Sequence, residues 1–204
     1  MGDAGGSTHV LEYLRETSEI CSDLSEHHAL EIEFMASNLS KLRQRGGRLL
    51  VAGLGGSFAN AIHMAADLRK LCDIDAECFD NMAELTARAN DIGWDDIFID
   101  WILKGSSKDG LMVLSVGGGD AVKKISVPLI RAFDAARGKG MMTFAIVGYG
   151  SNQRGGYIGH NSEIVVRIPV LDPKRVTPHS EAFQAVIWHC LVSHPALQKH
   201  PTTW

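Results

Sequence analysis

The sequence predicts an α/β fold: a parallel sheet covered by helices on both faces and preceded by a helical segment. Three observations carry this. From Arg48 onward, short apolar runs closed by glycines alternate with amphipathic stretches, which is the rhythm of βαβ units. The runs RLLVAG, GLMVLSV and MMTFAIVG are continuously apolar rather than alternating, as in strands buried on both faces. Residues 8–46 instead place Val10, Leu11, Leu14, Ile20, Leu24, Leu30, Ile32, Phe34, Met35, Leu39 and Leu42 at helical spacings.

In chain order, residues 8–46 read as a helical hairpin or one long helix stopped at Arg45-Gly46-Gly47. Residues 48–53 form the first strand, and a helix runs from the following glycines to about Lys70. Strands follow at 75–79, 110–116, 141–148 and 162–169, giving five in all. Helices are expected over 96–105, 120–137 and from about Pro178 to His194. The expected division is an N-terminal helical segment, 1–46, and one α/β domain, 47–204.

Composition narrows the function classes. The chain has 204 residues, 45% hydrophobic and 22% charged, which fits a globular protein and excludes a low-complexity one. A formal charge of −4 argues against a dedicated nucleic-acid binder or a polybasic membrane clamp. No apolar run approaches the roughly 20 residues that span a bilayer, so no membrane association is expected. The N-terminal sequence shows no basic region followed by an apolar one, so no secretory signal is expected. Cys21, Cys72, Cys78 and Cys190 form no CxxC and read as reduced thiols of a cytoplasmic protein.

In an open parallel sheet, ligands bind where strands end in glycine-rich turns. Two such turns exist, Gly53-Leu54-Gly55-Gly56-Ser57 and Ser115-Val116-Gly117-Gly118-Gly119-Asp120. The first is not a dinucleotide fingerprint, because Phe58 occupies the third glycine position, and no Gly-Lys-Ser/Thr follows to make a nucleoside-triphosphate loop. Both turns can still present N–H groups to an anion at a helix N-terminus; the plainer alternative is that the glycines only make tight turns. His63 and Asp67, four apart, share one face of the following helix. Each alone would be unremarkable; together they could be a metal pair or a base with its orienter. On the last helix Glu181 and His189 are eight apart, about 12 Å along the axis, and Phe183, Trp188 and Cys190 read as core.

These segments resemble phosphoheptose isomerases of the sugar isomerase (SIS) family. GLGGSFANAIHMAADL is similar to the family's G-N-G-G-S…H-x-x-x-E segment, and ARANDIGWDDIF to its Asn-Asp segment. LMVLSVGGGDA stands where the family has its S-T-S-G-N-S phosphate loop, and PHSEAFQAVIWHCL where it has its Q-E-x-H…H terminal helix. The resemblance implies a flavodoxin-like five-stranded SIS domain, a homotetramer with active sites at subunit interfaces, and one zinc or other divalent ion per site. It implies His63, Asp67, Glu181 and His189 as metal ligands and Asp67, Glu181 and His189 as the acid–base set. Leu54, Gly55, Gly56, Ser57, Asn90, Asp91, Ser115, Val116, Gly117, Asp120 and Glu181 would line the substrate. Without the resemblance, Asn90-Asp91 reads as a turn or cap.

The implied reaction converts sedoheptulose 7-phosphate to D-glycero-D-manno-heptose 7-phosphate through an enediolate. The alternatives are an isomerase of another sugar phosphate, or a non-catalytic SIS protein that binds phosphosugars or acts as a scaffold. The chain departs from the family pattern in four places. Asp67 stands for glutamate, Glu181 for glutamine, and Leu54 for asparagine. Val116, Gly117 and Asp120 replace three hydroxyl residues of the phosphate loop. Asp120 would repel a phosphate unless it turns away to cap its helix.

Overall fold

The computed structural model describes residues 5–149 and 155–202, with side chains from Thr8 onward; the ends of the expected division, residues 1–4 and 203–204, lie outside them. Five parallel strands form one sheet: β1 (Leu49–Ala52), β2 (Ala76–Cys78), β3 (Gly110–Ser115), β4 (Met142–Gly148) and β5 (Ile164–Ile168), in the order β2-β1-β3-β4-β5. Each lies within its predicted run, shortened by one or two residues at most ends. β1 and β3 bury every position, and β4 all but its first, which explains the apolar runs.

Side chains alternate between two cores. Leu49, Val51, Met112, Leu114, Phe144 and Ile146 face one side, and Leu50, Ala52, Leu111, Val113, Ala145 and Val147 the other. The first core is closed by α1 (Gly5–His27), α2 (Ala29–Gln44), α3 (Gly56–Cys72) and α8 (Val176–Val192). The second is closed by α4 (Met82–Asp91), α5 (Ile99–Leu103), α6 (Val127–Gly138) and α7 (Gly156–Asn161). Each fully buried Leu or Phe contributes roughly 1.5–3 kcal/mol relative to exposure.

Several elements depart from the expectation. The stretch 8–46 is two helices meeting at His28, whose φ of −126° breaks the helical path without a loop. The helix expected over 96–105 is a 3₁₀ turn, Trp94–Asp96, followed by the short α5. The helix expected from residue 120 begins only at Val127. Residues 120–125 form a tight hairpin instead, with Asp120 N–H donating to the Ile125 carbonyl and the reverse at 3.0 and 2.9 Å. Helices α4 and α7 were not anticipated. Asn81 caps α4, its side-chain Oδ1 accepting from Ala83 and Glu84 N–H. Asn90 and Asp91 are therefore the last residues of a helix rather than a turn. Cys190, read as core, is exposed.

Candidate metal and substrate site on the α3–α8 seam

Helices α3 and α8 lie side by side against the same face of the sheet, and their contacts run in register. Asn60 Nδ2 donates to the Glu181 carbonyl at 2.9 Å and to Gln184 Oε1 at 3.1 Å, while Gln184 Nε2 donates to Ser57 Oγ at 3.0 Å. Gln184 and Ser57 are buried, so this closed set of hydrogen bonds fixes the two helices without leaving a polar group wanting. Further along, Trp188 packs on His63 with ring centroids 4.6 Å apart.

At the far end of the seam, His63, Asp67 and His189 each offer a donor atom, and all three atoms lie within 4.8 Å of one another. His63 Nε2 is 3.6 Å from an Asp67 carboxylate oxygen. His189 Nδ1 lies 2.8 Å from the Ala185 carbonyl. A carbonyl only accepts, so Nδ1 carries the proton and Nε2 of the neutral ring is left as a donor to a metal. Two imidazole nitrogens and one carboxylate oxygen suit a divalent ion of zinc's kind, with room for a further ligand. The residues present fit such an ion.

Glu181 does not join the three. Its carboxylate covers Gly56 at the start of α3, where a Cβ on Gly56 would overlap both carboxylate oxygens. Eight residues of helix, about 12 Å of axial rise, separate it from His189. Of the four residues the sequence grouped, the structure brings three together and places the fourth at the mouth of the first glycine turn. There its charge lies against the positive end of α3. Gly55, with φ of +60°, makes that turn, and Gly55 and Gly56 are exposed while Leu54 is half-buried.

The second turn is locked from within. Ser115 Oγ accepts from Gly118 N–H at 3.0 Å. The carbonyls of Gly118 and Gly119 accept from Ile158 and Tyr157 N–H in the first turn of α7, both at 2.9 Å. Asp120 does turn inward, yet it caps the hairpin and not a helix, its Oδ1 accepting from Val122 and Lys123 N–H. Val116 and Gly117 remain partly accessible. Asn90 and Asp91 are exposed at the end of α4, with Asn90 Nδ2 donating to Asp91 Oδ1 at 2.9 Å.

A family profile described as the SIS domain matches residues 12–148, two-thirds of the chain. The chain belongs to the SIS-domain family. Among its curated relatives, the phosphoheptose isomerase of Chlorobaculum tepidum is 29% identical over 180 residues, covering 82% of this chain and 81% of the relative. That of Pelodictyon phaeoclathratiforme is 30% identical over 148 residues, covering 68% and 67%. Solved phosphoheptose isomerases from Francisella tularensis and Neisseria gonorrhoeae superpose with TM-scores of 0.78 at 23% and 22% identity. The first covers 91% of this chain and 95% of its own, and both bear out the SIS fold with its parallel sheet. The profile match stops at residue 148, so the α8 side of the candidate site, Glu181 and His189, rests on its own geometry.

Sequence reasoning missed Asn60 and Gln184, and read Trp188 as core without its contact to the site. A signal was present: Gly56, Asn60, His63 and Asp67 recur every three or four residues and mark one stripe of α3, as Glu181, Gln184 and Trp188 do on α8. That two such stripes face each other is a tertiary fact.

Proposed function

We propose that this SIS protein is a metal-assisted aldose–ketose isomerase that interconverts sedoheptulose 7-phosphate and D-glycero-D-manno-heptose 7-phosphate through an enediolate. That it is an isomerase rests on its family and on relatives named phosphoheptose isomerase. The heptose substrate and zinc as the ion are our assignments. The observation that carries the reading is the convergence of His63, Asp67 and His189 on the seam between α3 and α8.

When bound by those three residues, a divalent ion would polarise a sugar carbonyl and stabilise charge developing on its oxygen. The chain's own groups supply the proton transfer. Glu181 stands apart from the three donors, so its carboxylate is not committed to an ion. We assign it as the base that takes a proton from the carbon beside the carbonyl and returns it to the neighbouring carbon, a role that requires the two ends of the seam to close on the sugar. Such a group contributes about 10²–10⁴-fold. Asp67 is the other carboxylate, but an oxygen committed to a metal is a poorer base. For His189, ligand and acid are exclusive roles, because Nδ1 is bound to Ala185 and only Nε2 remains; we assign it the ligand role. Leu54, Gly55, Gly56 and Ser57 at one strand end, and Val116 and Gly117 at the next, line the substrate in this reading.

We infer a homotetramer in the cytoplasm, with the exposed seam completed by a neighbouring copy. Exposed apolar residues on α1 and α2, among them Val10, Leu11, Leu14, Leu30 and Phe34, support burial of that helical segment at a subunit contact. No helix among the described residues is long and apolar enough to cross a membrane.

The test is direct. Purified protein is incubated with sedoheptulose 7-phosphate, with chelator, with added Zn²⁺ and with neither, and the sugars are followed by NMR. Metal-dependent appearance of the aldose supports the proposal. No turnover in any condition overturns it, and turnover of a different ketose phosphate replaces the heptose.

A further inference from the structure

The metal-site reading leaves open what holds His63 in place. His189 is tied by its Nδ1 proton to the Ala185 carbonyl. Among the described residues His63 has no such tie: its side chain is 61% exposed, and its polar neighbour, Asp67, is at 3.6 Å. An exposed imidazole with one loose polar contact is free to change rotamer. Yet its ring lies against two others, the Trp188 indole at 4.6 Å and 63°, and the His189 imidazole at 5.6 Å and 88°. Trp188 in turn stacks on His189 at 3.5 Å and 30°.

Trp188 is an unusual choice for that place. It is fully buried in the core that also holds Phe183, Ile187 and Leu191, and its indole N–H has no acceptor among the described residues. A leucine or phenylalanine would fill such a position without stranding a donor. What the indole adds is a rigid aromatic surface touching both imidazoles at once.

We propose that Trp188 is a positioning residue for the metal site, an indole platform that restricts His63 to the rotamer in which its Nε2 meets Asp67 and His189. This rests on the reading of those three residues as ligands. Residues that orient a ligand without touching the ion typically change affinity by about 10–100-fold. The indole acts chiefly through His63, because His189 keeps its own hydrogen bond.

The experiment uses the full chain stripped with chelator and titrated with Co²⁺, read by its visible absorption and by competition with a chromophoric chelator, then with Zn²⁺ by displacement. Trp188→Leu is expected to weaken Co²⁺ binding by about tenfold or more and to alter the visible spectrum. Trp188→Phe, which keeps an aromatic face, is expected to stay within about threefold of the parent. In a His63→Ala background, Trp188→Leu is expected to cost nothing further, an outcome that a general packing defect would not give. Should Trp188→Leu fail to fold, Trp188→Met fills the core with a flexible chain and carries the same expectation. Parent-like Co²⁺ affinity and spectrum in the Leu or Met variant would overturn the proposal while leaving the metal site standing. Failure of the parent to bind Co²⁺ or Zn²⁺ would overturn the metal site itself, and this inference with it.

Discussion

The Glu181 carboxylate lies directly over Gly56, occupying the space that any other residue's Cβ would need. The two come from α8 and α3, so one backbone hydrogen on a glycine decides where a charged group of another helix can rest. Gly56→Ala tests what that placement does. Alanine suits the first turn of a helix, and the atoms in its way are the far end of a flexible side chain. The variant should melt within a few degrees of the parent, with the carboxylate displaced. If Glu181 is the base, kcat/KM falls about tenfold or more, and combining Gly56→Ala with Glu181→Ala gives no further loss. Full activity in Gly56→Ala would remove Glu181 from the chemistry.

Asp67 is the single carboxylate among the three clustered donors. Asp67→Asn preserves its size and removes its charge, so Zn²⁺ affinity measured by competition should drop at least tenfold, about 1.4 kcal/mol. Glu181→Gln, by contrast, should leave Zn²⁺ affinity within about threefold, because the structure keeps Glu181 out of the cluster. An equal loss in both would mean that the two ends of the seam close together on the ion.

The N-terminal helix is tied to the start of α8 by a compact ionic cluster. Arg175 donates to both Glu16 carboxylate oxygens at 2.8 and 2.5 Å, and His179 Nε2 lies 2.9 Å from one of them. Hydrogen bonds from Arg175, then from His179, hold the Glu16 carboxyl down at about 2 against an ordinary 4.5. A depressed folded-state value means that the ionised form is the stabilising one. Its contribution is complete above the unfolded value of 4.5 and is lost as pH falls towards about 2. Urea unfolding at pH 7, 4 and 3 should show Glu16→Gln less stable than the parent at pH 7, with the gap closing as the pH drops. A constant gap across that range would show that Glu16 acts by packing alone.

How much of this was legible in the sequence follows from which contacts are local. The five strands were readable because parallel strands buried on both faces leave unbroken apolar runs, and β3 shows this at all six positions. His63 and Asp67 were readable as a pair because helical spacing alone puts residues four apart on one face. Helix α4 was not, since it buries none of its residues and is polar on balance. The hairpin at 120–125 was hidden for a different reason: VKKIS continues a helical pattern, and only the hydrogen bonds of Asp120 with Ile125 N–H and carbonyl reveal the turn. Trp188 was read correctly as buried, but its contact with two imidazoles depends on how α3 meets α8. The separation of Glu181 from the cluster was visible as a spacing of eight residues and needed the structure to become a division of roles.

The glycines of the second turn separate fold from binding, and this yields the sharpest contrast. Gly118 has φ of +65°, and a Cβ on it would collide with the Gly155 carbonyl, a backbone atom with no freedom to move aside. Gly118→Ala should therefore destabilise the protein by about 1–2 kcal/mol from the left-handed backbone alone, with the collision adding to that, seen as a lowered urea midpoint. Gly117, its neighbour, has open space where a Cβ would go and is not in the left-handed region. Gly117→Ala should leave the urea midpoint within about 0.5 kcal/mol of the parent. If a phosphate approaches the chain closely at Gly117, the methyl group intrudes on it and KM rises while kcat holds, the signature of binding lost equally in ground and transition states. An unchanged KM in Gly117→Ala would place the phosphate elsewhere and return attention to the first turn, where Gly55 and Gly56 stand exposed beside Glu181.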